Sequence, residues 1–168
     1  MTLPGRQTLI PLAILGACVG ALALAYLAQY GYGLEPCPLC LYQRVPYAVG
    51  CLMATAAVLS PVRALRVAAV AVSGLAFAVG MAIAVHHVGV EQHWWASAAA
   101  CGGQLTMPET PAQLLAELSR PPVKACDAPA WTLFGVSMAG YNIVASGALA
   151  LFAFLGAWTM RDKAENRP

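Results

Sequence analysis

Four stretches of this chain contain no Asp, Glu, Lys or Arg, and each is long enough to cross a bilayer. They cover residues 7–34 (28 residues), 45–62 (18 residues), 67–90 (24 residues) and 128–160 (33 residues). Roughly 20 apolar residues cross the ~30 Å hydrocarbon core of a membrane. Between the third and fourth windows, residues 91–127 hold four prolines and all the charge of that region, so this segment cannot span. The 168 residues suffice for one domain. Only 10% of them are charged and 60% are hydrophobic, against about 25% charged in a soluble domain. A net charge of +2, scattered along the chain, gives no footprint for nucleic acid.

We therefore expect an all-α membrane protein. It would be a four-transmembrane-helix bundle with spans at about 8–30, 41–60, 67–89 and 136–159, forming a single membrane domain over 1–168. The loops at about 31–40 and 91–134 share one side, the second being a long loop between helices 3 and 4. Arg6 ahead of an apolar stretch also suits a signal peptide. That stretch is too long for a typical signal core and offers no clear cleavage site, so we read it as a retained first span.

Orientation follows from the basic residues. Arg6, Arg63, Arg66, Arg161, Lys163 and Arg167 lie on the side of the termini, against Arg44, Arg120 and Lys124 on the other. An excess of Lys and Arg marks the cytoplasmic side, so both termini are expected there and the long loop outside. That loop contains Gly102-Gly103 and Pro108, Pro111, Pro121 and Pro122, with a short helical candidate at 111–119 whose Leu114, Leu115 and Leu118 share one face. Trp94, Trp95 and Trp131 flank it at the depth of an aromatic belt, where interfacial anchoring is a sufficient role.

The six cysteines sort by depth. Cys18 and Cys51 fall within the first and second spans and read as small hydrophobes. Cys37, Cys40, Cys101 and Cys126 all fall outside, in the compartment where disulfides persist. Cys37-Pro38-Leu39-Cys40 has the spacing of redox motifs with lowered thiol pKa. It also opens a helix, whose N-terminal amides and dipole favour a thiolate. Zinc is a competitor for four thiols, but Cys101 and Cys126 lack the usual ligand spacing, and no metal is expected. Haem attachment fails because Leu41, not His, follows Cys40. A pair of purely structural disulfides remains the main alternative at this stage.

Arg44 lies four residues after Cys40, on the same helical face. A cation at that depth is costly and tends to be functional; it can hold a Cys40 thiolate or an oxygen of a bound electron acceptor, the alternative being a snorkelling interfacial side chain. His86 and His87 close the third span on the outer side, where a hydrogen-bonding group would serve an acceptor that takes protons as well as electrons. Both histidines stay open as candidates. His93 reads as a solvated loop residue.

These residues together resemble the DsbB family of bacterial disulfide-bond-formation proteins. The resemblance rests on Glu35-Pro36-Cys37-Pro38-Leu39-Cys40-Leu41-Tyr42-Gln43-Arg44, on His86-His87-Val88-Gly89-Val90-Glu91, on Cys126-Asp127-Ala128-Pro129-Ala130-Trp131, and on 133–142 (Leu-Phe-Gly-Val-Ser-Met-Ala-Gly-Tyr-Asn). It covers essentially the whole chain in order.

The resemblance implies an oxidoreductase of the bacterial inner membrane with its cysteine pairs periplasmic. Cys37, Cys40, Cys101 and Cys126 would be catalytic, and Arg44 with His87 or His86 would bind a quinone from the membrane pool. Ubiquinone is the expected acceptor and menaquinone the alternative. A periplasmic DsbA-like thioredoxin-fold protein would attack Cys101 and free Cys126; electrons would then reach Cys37-Cys40, with Cys40 facing the quinone. Cys101 and Cys126 would be bonded at rest. A DsbA-type oxidant is known to sit near −120 mV, a value that comes with that family and not from this chain, so its re-oxidation needs a stronger acceptor.

Three other readings compete. A vitamin-K-epoxide-reductase-like protein also joins a CxxC, a loop pair and a quinone, but places the loop pair first in the chain, the reverse of the order here. A non-catalytic membrane protein with two structural disulfides leaves Arg44 beside Cys40 unexplained. A transporter is disfavoured by spans without Asp or Glu and by the lack of an inverted repeat.

Overall fold

The computed structural model of the chain describes residues 6–96, 101, 110–112, 115 and 124–162. Most of the outer-loop turn and helix candidates lie outside these residues, as do Arg120, Lys163 and Arg167. Four long helices form the fold. Helix α1 is Arg6–Tyr26 and runs on into a π-helical turn, Leu27–Gly31; α2 is Pro38–Leu59, α3 is Arg63–Glu91 and α4 is Met138–Asp162. Just before α4, β1 (Thr132–Leu133) and β2 (Val136–Ser137) pair antiparallel.

Among the described residues, three helices are long and apolar enough to cross a membrane, over Gln7–Gly31, Arg63–Glu91 and Met138–Arg161. Helix α2 matches them in length with 22 residues, but Gln43, Arg44 and two tyrosines dilute its apolar character. Large apolar side chains face outward on all four helices, among them Leu24, Leu52, Leu75 and Leu151, each at least 60% exposed. Such a surface suits lipid and not water.

Helix α3 is the hub, packing on α4 and α2, while α1 joins mainly through α2. The interior is built from small residues around a few large ones: Ala54, Ala57, Ala150, Ala153 and Ala157 beside Ile14, Tyr47, Val70, Phe77 and Met160. With lipid as solvent, helices associate through close packing, which small residues permit. Gly50 is the clearest case. A Cβ there would come within 2.7 Å of both Cys18 Sγ and Phe77 Cζ. Cys18 is fully buried and hydrogen-bonds Cys51 across the α1–α2 contact, so both act as interior packing groups, as expected.

The cytoplasmic-side expectation for the arginines acquires a structural use. Arg63, at the start of α3, donates to the carbonyls of Met160 and Arg161, and Arg66 Nε donates to Ser60 O at 2.6 Å. Basic groups thus satisfy the open carbonyls at the ends of α4 and α2. Cys37, Cys40, Cys101 and Cys126 lie at the opposite end of the bundle.

The hairpin is an addition to the expected all-helical plan. Phe134 (φ 50°) and Gly135 (φ 78°) form its two-residue turn with both residues left-handed, the type I′ geometry that matches strand twist. Tyr141 OH donates to Leu133 O at 3.0 Å and ties the hairpin to α4. The hairpin delays the start of α4 to Met138, two residues past the expected boundary, and fixes Ser137 above α3.

Candidate redox site

Cys37 is the N-cap of α2, with extended backbone and Pro38 in the first helical position. Proline suits that position because its missing N–H would be unpaired anyway. Cys40 N–H donates to Cys37 Sγ at 3.3 Å, so a sulfur takes the capping role that an oxygen usually fills. The two sulfurs lie 2.8 Å apart.

The loop cysteines come to the same place. Cys126 N–H donates to Cys101 O at 3.2 Å, and the two side chains hydrogen-bond each other. Cys101 and Cys126 are buried with Cys37 and Val90 in one cluster, against which Leu39 and Cys40 pack. The Cys126 thiol hydrogen-bonds Cys37. Cys37, Cys40, Cys101 and Cys126 therefore meet at the start of α2.

The thiols are not equivalent. A hydrogen bond with Cys40 and then burial push Cys37 up to about 12. Cys40, ahead of the span expected from residue 41, is lowered, chiefly because Cys37 donates to its sulfur. Burial pushes Cys126 up, opposed by its bond with Cys101.

A continuous polar chain crosses the helices beneath this cluster. Tyr47 OH donates to Asn142 Oδ1 at 2.5 Å, Asn142 Nδ2 to Gln43 Oε1 at 2.5 Å, and Gln43 Nε2 to His87 Nδ1 at 2.7 Å. Ser146 Oγ also donates to Asn142 Oδ1, at 3.1 Å. Since Nδ1 accepts, the neutral ring carries its proton on Nε2. That Nε2 lies 3.5 Å from Cys37 Sγ and 3.7 Å from Glu91 Oε1. Ser137 Oγ donates to the other Glu91 oxygen at 2.5 Å.

Arg44 is held from α1. Its Nη1 donates to Gln29 Oε1 at 2.6 Å, and its guanidinium lies 4.9 Å from the Tyr26 ring centroid. Gln29 belongs to the π-helical turn, a distortion of a kind frequent at functional sites. Arg44 does not bond Cys40 among the described residues; both line a cavity of about 300 Å³ between α1, α2 and α4. Its walls include Ala21, Leu22, Ala25 and Ala28 from α1, with Cys37, Gln43, His87 and Glu91 at its polar end.

The two histidines separate. His87 is buried in the cavity wall, whereas His86 is exposed, stacks on Trp95 at 5.5 Å and accepts Trp95 Nε1 on its carbonyl oxygen at 3.0 Å. His86 lines a separate apolar groove on the outer face of α2 and α3 with Val79 and Ile83. The signal that separates them is in the sequence. Phe77, Gly80, Ala84, His87 and Glu91 recur at three- and four-residue steps, one face of a helix, and all are buried. Gln43, Ser137 and Asn142 fall within the motifs that carry the family resemblance but were given no role there, and Tyr47 and Gln29 carried no signal, because a single uncharged polar residue in a span has no chemistry of its own to point to.

Comparison with known proteins agrees with this geometry. A family model described as "Disulfide bond formation protein DsbB" matches residues 7–156. A protein of Methylobacillus flagellatus named disulfide bond formation protein B is 34% identical over 142 residues, covering 83% of this chain and 86% of its own. A namesake from Xanthomonas axonopodis is 33% identical over 151 residues, 86% of this chain and 87% of its own. An uncharacterised protein of Rickettsia prowazekii is 26% identical over 153 residues. No solved structure matches significantly. With a family match across nearly its whole length, the chain belongs to the DsbB family of disulfide bond formation proteins, membrane oxidoreductases that sustain disulfide formation.

Proposed function

We propose that the chain is a thiol:quinone oxidoreductase that re-oxidises a periplasmic DsbA-like dithiol protein through two cysteine pairs. The observation that carries this is the convergence of Cys101 and Cys126 on Cys37 and Cys40 in one buried cluster beside the cavity. Structural staples have no need to touch. In this reading α2 is the fourth span, both termini are cytoplasmic and the cysteines lie on the periplasmic side of the inner membrane.

The relay is thiol–disulfide exchange. At rest each pair is a disulfide. A partner thiolate attacks Cys101, forming a mixed disulfide and releasing Cys126 as thiolate. Cys126 then attacks Cys37, its neighbour, and Cys40 leaves as thiolate. The direction suits the local electrostatics, since Cys40 has the lowered thiol pKa of the pair and is the better leaving group. The partner's second thiolate then attacks its own mixed-disulfide sulfur and expels Cys101, which attacks Cys126 and breaks the Cys126–Cys37 bond; Cys37 leaves and takes up a proton, the loop disulfide re-forms and the partner departs oxidised. Two electrons now rest on the Cys37-Cys40 dithiol.

The cavity fits a quinone: its walls are apolar, its volume accommodates a ring, and its polar end presents a cation and an N–H donor. A bound quinone supplies a two-electron, two-proton acceptor stronger than a protein disulfide. Arg44, steadied by Gln29 and Tyr26, keeps guanidinium donors for a ring oxygen, and His87, not His86, offers Nε2–H beside the sulfur. Ubiquinone remains the expected form and menaquinone the alternative.

Quinone reduction by the purified protein in detergent, with a reduced DsbA-type donor, tests the reading. Cys37→Ala, Cys40→Ala, Cys101→Ala and Cys126→Ala should each abolish turnover. Turnover that survives loss of Cys101 or Cys126 would remove the two-pair relay.

A further inference from the structure

Spacing argued against zinc when Cys101 and Cys126 were taken as the second half of the ligand set. Folding supplies a different second half. Cys37 Sγ, Cys40 Sγ and His87 Nε2 lie within 4.8 Å of one another, and Glu91 Oε1 stands 3.7 Å from that nitrogen. We propose that the reduced site binds a thiophilic divalent cation of the zinc class through Cys37, Cys40, His87 and Glu91, and that occupancy reversibly blocks turnover. The blocking consequence rests on the electron-transfer reading; the binding site does not.

Distances decide whether the set is plausible. Metal bonds of about 2.3 Å to sulfur, ~2.0 Å to nitrogen and ~2.1 Å to oxygen make tetrahedral edges of ~3.8 Å (S–S), ~3.5 Å (S–N) and ~3.4 Å (N–O). The corresponding separations are 2.8 Å between the sulfurs, 3.5 Å from Cys37 to His87 and 3.7 Å from His87 to Glu91. Two edges agree within ~0.3 Å of the tetrahedral values. The third opens by rotation of Cys40, which is only half-buried.

The surroundings supply what a metal site needs beyond its ligands. Ser137 orients Glu91. Metal on Nε2 sends the His87 proton to Nδ1, where it needs an acceptor. The Gln43 amide provides one by turning its oxygen to the ring. Asn142 turns with it, and the chain ends on the Tyr47 and Ser146 hydroxyls, which can donate or accept. The chain therefore supports either tautomer. Glu91 also gains a purpose, being a buried carboxylate that the electron relay leaves unused.

The chemistry balances as an exchange of protons for metal. The two thiols lose two protons, the His87 proton moves from Nε2 to Nδ1, and Glu91 binds as carboxylate. The Cys37-Cys40 disulfide has no thiolate to offer, so binding is confined to the reduced state.

The test uses the full chain in detergent as the Cys101→Ala/Cys126→Ala double variant, which leaves Cys37-Cys40 as the outer pair. It is reduced with a phosphine and titrated with cadmium alone. One cadmium should bind per chain with a thiolate-to-metal absorption band and release of two protons, and oxidation or Cys37→Ala/Cys40→Ala should abolish it. His87→Ala and Glu91→Gln should each weaken binding at least about tenfold. Unchanged affinity in both would overturn the proposal, leaving a dithiol that binds metal anywhere.

Zinc-edge X-ray absorption on the unsubstituted ligand set gives a second reading should a variant fold poorly. Two sulfur and two nitrogen or oxygen neighbours are expected, and a shell without nitrogen would overturn it. No quinone or thiol partner enters these measurements, so they fail independently of the electron-transfer reading. Zinc should also inhibit quinone reduction by wild type, with recovery on chelation; binding without inhibition would refute the blocking role.

Discussion

Replacing Gln43 by leucine tests the polar chain that orients His87. The substitution keeps volume and removes two hydrogen bonds, the 2.7 Å donation to His87 Nδ1 and the 2.5 Å acceptance from Asn142. Hydrogen bonds between membrane helices contribute about 0.6 kcal/mol on average and up to ~1.7 kcal/mol. Two lost bonds thus predict a destabilisation of roughly 1–3 kcal/mol, within the range for orphaning a buried polar group. Asn142→Leu, which also releases Tyr47 and Ser146, should cost a similar amount. The double variant removes donor and acceptor together, so its cost should fall short of the sum by ~1 kcal/mol. Reversible unfolding in mixed micelles, followed by helical circular dichroism, reads all three values. Additivity within about 0.3 kcal/mol would mean that Gln43 and Asn142 are not bonded and that the His87 tautomer is not fixed in this way.

Alkylation of the reduced protein at neutral pH should modify Cys40 before Cys37, since Cys40 is the lowered thiol and Cys37 is held up to about 12. Raising the pH toward that value should bring Cys37 into reaction, and peptide mass spectrometry reads the order; Cys37 reacting first would reverse the assigned leaving group. Gly50→Val should destabilise by about 1–3 kcal/mol through overpacking against Cys18 and Phe77. Gly16→Ala, which meets nothing within 4 Å, should be near neutral by the same unfolding assay. Arg44→Ala should raise KM for quinone more than it lowers kcat, with Gln29→Leu a weaker version of the same effect; a change in kcat alone would separate Arg44 from binding.

Much of the bundle was legible because charge-free windows report the solvent directly: where lipid surrounds a helix, every ionic group must leave it. The cysteines were legible for a related reason, as spacing and depth placed four of them on one side. That Cys126 would touch Cys37 was not readable, because the loop's path depends on tertiary contacts with Val90 and Leu39. The hairpin escaped notice since its turn, Phe134-Gly135, lacks the Asn or Asp that usually announces a type I′ geometry. The choice between His86 and His87 was readable from the helical period of α3 but requires Glu91 and Ala84 to be counted as one face with His87. Gln43 and Asn142 stood inside the resemblance motifs, but their roles were not readable. Each is a single polar residue in an apolar run, and only their meeting across α2 and α4 gives either a role.

The depth of the CxxC is the feature on which the rest depends. A group that takes electrons from a water-soluble thiol and delivers them to a lipid-soluble acceptor must stand at the interface, with one face toward each. In the proposed orientation the first turn of α2 meets this requirement, with Cys37 at the cap touching Cys126 and Cys40 nearly a full turn further in, lining the cavity. The same position supplies the electrostatics, since the Cys40 amide bonded to Cys37 Sγ and the positive end of the helix dipole favour a thiolate there, the dipole by roughly 0.3–1 kcal/mol or more when partly buried. At a helix C-terminus both effects would reverse, and Cys40 would lose its advantage as leaving group. Proline at position 38 holds this start in register, because its fixed φ begins a helix that it could not continue from within. In the proposed relay, spacing, depth and helix polarity therefore favour a single direction of electron flow, from Cys126 through Cys37 to Cys40.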